Sequence, residues 1–143
     1  MKSLPTVLIV DDDEGHAILI RENLESAGVP NPIEHFRDGQ AVLDFFAARP
    51  PAPNESYIVL LDIRMPKVDG IEVLRRMRAD PELRMLPVIM LTTTDDVRDV
   101  QSCHQLGCSG YIQKPVDYEK FAEAIRRIGL LVPLLLVPEI GTR

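Results

Sequence analysis

Two features of the 143-residue sequence predict an α/β fold, a doubly wound parallel sheet of five strands with helices on both faces. Short apolar runs alternate, five times over, with stretches whose apolar residues recur at three- and four-residue steps. Three of the short runs are continuous in Val, Ile and Leu, as strands covered on both faces are. A repeated strand and helix order requires right-handed crossovers, which leave the strands parallel and the helices layered on either side.

Each element can be justified in turn. The first strand is Val7 to Val10, and Ala17, Ile20, Leu24 and Ala27 place one apolar face on the helix after it. "AGVPNP" breaks that helix before a weaker strand, Pro32 to Phe36, expected nearer an edge. Val42, Phe45 and Phe46 mark the second helix, which "ARPPAPNES" separates from the third strand, Tyr57 to Leu61. Ile71, Leu74 and Met77 mark the third helix, and Val88 to Leu91 the fourth strand. The fourth helix has only Val97 and Val100 on its apolar face and ends before Gly107. Being the least anchored, it is the element expected to shift between two states. Gly110 to Ile112 is a second weak strand, and Phe121, Ala124, Ile125 and Ile128 mark the fifth helix.

Composition narrows the function. With 45% hydrophobic and 27% charged residues, the chain has the makeup of a soluble globular domain. A net charge of −6 and the absence of a basic run argue against a nucleic-acid surface. The apolar run before Asp11 is too short for a signal peptide, and the longest one, Leu130 to Pro138, is half a membrane span and carries two prolines. No membrane is expected. Cys103 and Cys108, without metal-site spacing, read as inert thiols of a cytoplasmic protein.

In such a sheet the site lies beyond the carboxyl ends of the strands. The residues there are Asp11 and Asp12 after the first strand, Asp62 after the third, Thr92 after the fourth, and Lys114 and Pro115 after the fifth. A single Asp after a strand is ordinarily a helix N-cap, and Asp13 or Glu14 is read as that. Thr92 alone could be a cap and Lys114 alone a solvated charge; four strands presenting matched chemistry at one rim reverse that reading. Clustered carboxylates must be protonated or neutralised by a cation. An oxygen-only set suits Mg²⁺, completed by phosphate, with a lysine to offset the remaining charge. This is the outline of phosphoryl transfer.

Together, "VLIVDDD", "IVLLDIRMPKVDG", "PVIMLTTTD" and "GCSGYIQKPV" resemble the CheY-like receiver domain of two-component response regulators, in the family's order, over Pro5 to Ile128. The resemblance implies a flavodoxin-like (βα)5 fold with strand order 2-1-3-4-5, a receiver domain over residues 5–129 and a hydrophobic C-terminal arm over 130–143. It implies a signalling protein and not an enzyme, accepting a phosphoryl group on Asp62 from the phosphohistidine of a sensor histidine kinase. It further implies that Asp11, Asp12 and Asp62, with the backbone carbonyl of Arg64, hold Mg²⁺. Thr92 and Lys114 would bind phosphoryl oxygens, Thr92 and Tyr111 would form the switch, and the Lys114–Pro115 bond would be cis. The aspartyl phosphate so formed is a labile mixed anhydride, which suits a temporary signal. One departure from the family is Thr93, where a small residue is usual. Its bulk is expected to narrow water access to Asp62 and slow phosphate loss. The Arg64 side chain is expected in solvent or reaching back over the acidic rim.

No output domain is expected after the receiver, so output would be a change of partner or assembly. The tail "LLVPLLLVP" contains seven Leu or Val residues. At roughly 1.5–3 kcal/mol each when buried, leaving them in water would forfeit on the order of 10 kcal/mol. Its prolines disfavour a helix, so an extended arm, Leu130 to Pro138, is expected to lie across a partner subunit in a homodimer. The long Pro-rich segment before the third strand, with this extension, resembles the regulators paired with bacterial phytochrome kinases. Two rivals remain open: a Mg²⁺-dependent phosphatase using Asp11 and Asp13, for which 143 residues leave no cap segment, and a dimeric scaffold that never accepts phosphate.

Overall fold

The computed structural model describes residues 5–52, 55–92, 96–113, 119 and 123. Strands and helices alternate: β1 (Thr6–Val10), α1 (Glu14–Ser26), β2 (Ile33–Phe36), α2 (Gly39–Ala48), β3 (Tyr57–Leu61), α3 (Gly70–Ala79), β4 (Val88–Thr92), α4 (Val97–Gln105) and β5 (Gly110–Gln113). The five strands are parallel in the order β2-β1-β3-β4-β5, the flavodoxin-like order. The two weaker strands are indeed the edges. Of the expected fifth helix, Glu119 and Glu123 are described, both helical and exposed. The C-terminal arm lies outside the described residues.

Alternation along the central strands sends side chains to two cores. Leu8, Val10, Val59, Leu61 and Met90 pack with Val42 and Phe46 of α2, Val73, Leu74 and Met77 of α3, and Cys103 of α4. Val7, Ile9, Ile58, Leu60, Ile89 and Leu91 pack on the other face with Ala17, Ile20 and Leu24 of α1. Every residue of β3 and β4 is buried, which explains their unbroken apolar sequence.

The fourth helix departs from its expected face. Val97 is 65% exposed, and the one buried residue of α4 is Cys103. The helix therefore anchors through its C-terminal half. Gly107 follows it with a φ of 76°, a left-handed conformation that glycine adopts without steric cost.

Candidate functional site

The carboxyl edge of the sheet is crowded with acids, which fall into two groups. Asp13, Asp38, Asp69 and Asp96 are the N-caps of α1 to α4, accepting from the main-chain N–H groups of His16, Ala41, Glu72 and Arg98 at 3.1, 2.7, 2.9 and 2.9 Å. Each such bond satisfies an otherwise orphaned helix donor and contributes about 1 kcal/mol. Asp13 is thus a cap, as the sequence suggested.

Asp11, Asp12 and Asp62 form the second group. One carboxylate oxygen from each lies within 4.8 Å of the others. Asp11 and Asp62 are buried and Asp12 is exposed. They meet because β1 and β3 are neighbours in register, Val10 opposite Leu61, with the Asp62 N–H donating to the Val10 carbonyl at 3.0 Å. Fifty residues of chain are closed by a single strand pairing. Three carboxylates at this spacing repel one another unless a cation or protons intervene. Hard oxygen donors, two of them desolvated and one open to water, fit Mg²⁺, which retains part of its hydration.

Local geometry fixes both ends of the triad. The Asp11 carboxylate accepts from the Asp13 N–H at 2.9 Å, turning the chain sharply out of β1. At Asp62, α3 begins so close that a Cβ on Gly70 would lie 2.0 Å from the Asp62 carbonyl oxygen. Residue 70 must therefore be glycine, a requirement hidden within the "MPKVDG" segment.

Of the remaining predicted residues, Thr92, Tyr111 and Arg64 are described. Thr92 ends β4, the neighbour of β3, and is fully buried. Tyr111 lies on β5 opposite Met90, its ring centroid 6.3 Å from that of His104 on α4. Burial, and then the nearby Cys103, Asp99 and Cys108, push its phenol up to about 12. Arg64 sits two residues beyond Asp62 in the loop to α3, with its side chain exposed and donating to Asp99 of α4 at 2.6 Å. Lys114, the Lys114–Pro115 bond and Thr93 lie outside the described residues. Three participants were not singled out from sequence: Gly70, Asp99 and His35, whose Nε2 lies 2.8 Å from the Asp11 carbonyl oxygen. A bond to a backbone carbonyl leaves no spacing signature, so His35 could not have been found that way.

The order of strands and the position of the acids have a counterpart among known proteins. The family model of the response regulator receiver domain matches residues 7–126. The chain belongs to the receiver family. Its relatives include the polar-differentiation response regulator DivK of Brucella anthropi, 36% identical over 121 residues covering 85% of this chain and 93% of that protein. A response regulator receiver domain from Rhodospirillum rubrum superposes with a TM-score of 0.87 at 41% identity, covering 94% of this chain and 97% of its own. The phosphorylated cyanobacterial phytochrome response regulator RcpA superposes with a TM-score of 0.84 at 27% identity, covering 95% and 99%. Receiver domains are signalling proteins, phosphorylated by histidine kinases, that bind Mg²⁺ at an acidic pocket and are not generally classed as enzymes. Among the described residues of this receiver, no helix is long and apolar enough to cross a membrane.

Proposed function

We propose that the protein is a response regulator whose Asp62 accepts a phosphoryl group from a sensor histidine kinase in a Mg²⁺-dependent reaction. The observation that carries this reading is the convergence of the Asp11, Asp12 and Asp62 carboxylates at the carboxyl edge of a receiver fold. Asp62 supplies the nucleophile: a carboxylate oxygen forms a bond to phosphorus as the phosphorus–nitrogen bond of the phosphohistidine breaks. The electron pair of that bond, and a proton, remain with the imidazole. Asp11, Asp12 and the Arg64 carbonyl join Asp62 as metal ligands. Bound Mg²⁺ would offset the charge carried by the transferring group. Thr92, buried at the end of the adjacent strand, offers a hydroxyl to a phosphoryl oxygen, and Lys114 an ammonium. Thr92 and Tyr111 form the switch that passes the change towards α4 and β5.

The kinase partner is of the bacterial phytochrome class. The Pro-rich segment before β3 and the likeness to RcpA support this. The receiver spans 5–129, and the arm Leu130 to Pro138 joins two copies into a cytoplasmic homodimer without nucleic acid or membrane, so that phosphorylation acts on partner binding or assembly. The phosphatase alternative is weakened by Asp13, whose carboxylate caps α1 instead of serving as a general acid.

Incubation with acetyl phosphate and Mg²⁺ tests the reading. A covalent adduct on Asp62, absent from Asp62→Asn and suppressed by chelation, is expected. Steady release of phosphate without a lasting adduct would indicate the phosphatase, and no adduct at all the scaffold.

A further inference from the structure

We propose that His35 is a positioning residue for the metal-binding turn, holding the peptide between Asp11 and Asp12 so that their carboxylates are presented together. This rests on the phosphoryl-acceptor reading, because it concerns the acids assigned there to Mg²⁺. The His35 Nε2 lies 2.8 Å from the Asp11 carbonyl oxygen. A carbonyl only accepts, so Nε2 carries the hydrogen and the bonded tautomer is defined by its partner.

What this bond controls follows from where it sits. The β1·β2 ladder runs from Val7 opposite Ile33 to Val10 opposite Phe36, and the Asp11 N–H then donates to the Phe36 carbonyl at 3.0 Å. The ring of His35 extends the pairing by one bond beyond the strand. Consecutive residues of β2 therefore hold both the N–H and the C=O of Asp11, while the Asp11 carboxylate takes the Asp13 N–H at 2.9 Å. The held carbonyl belongs to the peptide that leads into Asp12. Because that unit is planar, fixing its oxygen fixes the direction in which the chain enters Asp12. Asp12 is exposed, in contrast to Asp11 and Asp62, which are gripped by the core. It is consequently the member of the triad most dependent on its backbone for aim. Outer contacts of this kind that orient metal ligands are typically worth ten- to a hundredfold in affinity.

The test compares His35→Phe, which keeps a ring and loses the donor, with His35→Gln, which keeps an N–H donor at similar reach. Mg²⁺ affinity is measured by calorimetry, amide hydrogen exchange at Asp13 in the metal-free protein by NMR, and melting temperature alongside. His35→Phe should weaken Mg²⁺ binding about tenfold and speed exchange at Asp13. His35→Gln should retain most of both, and Ile33→Val, a control on the same edge strand, should leave both unchanged. Unaltered affinity in His35→Phe, equal losses in His35→Phe and His35→Gln, or an equal loss in Ile33→Val would each overturn the proposal alone. A wild-type protein that binds no Mg²⁺ would overturn the phosphoryl-acceptor reading together with it.

Discussion

A methyl group on residue 70 would meet the Asp62 main chain at less than van der Waals distance, so the position of Asp62 depends on a side chain being absent. Gly70→Ala should cost about 1–3 kcal/mol in urea unfolding and slow acetyl phosphate labelling of Asp62, because the strand end or the helix must retreat. Cys103 shows a different residue-scale effect. Burial, followed by the neighbouring Cys108, pushes its thiol from 9.0 up to about 11, and Tyr111 moves in the same direction from 10.0 to about 12. The folded state therefore holds these protons more tightly than the unfolded chain does. Their contribution to stability is complete below pH 9 and is lost as pH rises through the folded values near 11 and 12. Melting temperature should fall steadily above pH 9, and less steeply between pH 9 and 11 in Cys103→Val, which cannot ionise. At this scale Asp11, Asp12, Asp62 and the Asp13 cap were legible because carboxylates after apolar runs stand out. Gly70 and His35 were not, since what matters there is the approach of one backbone to another or to a ring.

At the scale of the element, α4 is held unequally at its two ends. Arg78 of α3 donates to the carbonyls of Leu106 at 3.1 Å and Gly107 at 2.8 Å, just past the helix, and to that of Leu86 at 3.1 Å before β4. Burial lowers the pKa of its guanidinium. The other end carries the Arg64–Asp99 pair, whose arginine side chain is 59% exposed. Exposed pairs contribute little, and hydrogen bonds from a partly buried charge contribute more. Arg78→Ala should therefore cost about 3 kcal/mol in urea unfolding, against less than about 1 kcal/mol for Arg64→Ala. Amide exchange over Val97 to Val100 should quicken in Arg64→Ala while the end near Leu106 stays protected. The sequence announced a weakly anchored helix here through its poverty of apolar residues. It pointed to Val97, which is exposed, because two valines suggested a face that burial of Cys103 supplies instead. A nine-residue helix leaves too few positions for periodicity to choose between them.

For the whole molecule, the class of fold followed from short continuous apolar runs alternating with stretches of helical period, a pattern that survives any detail of packing. The order of strands did not; periodicity says nothing about which strand lies beside which, and the order came from family resemblance. The apolar tail poses the corresponding question of assembly. Removing Leu131 to Arg143 should leave a soluble monomer by light scattering if the arm joins two subunits, and an unchanged dimer would refute it. The sheet order also bears on how far Asp62 is protected from accidental opening of the protein. β3 has β1 on one side and β4 on the other, whereas β2 and β5 each have one neighbour. Partial unfolding that peels away a rim strand would detach His35 or Tyr111 and leave Asp62 seated between two intact neighbours. Under the proposed reaction the phosphoryl group would sit at the end of the central strand, and the rim strand that carries Tyr111 could come loose without disturbing it.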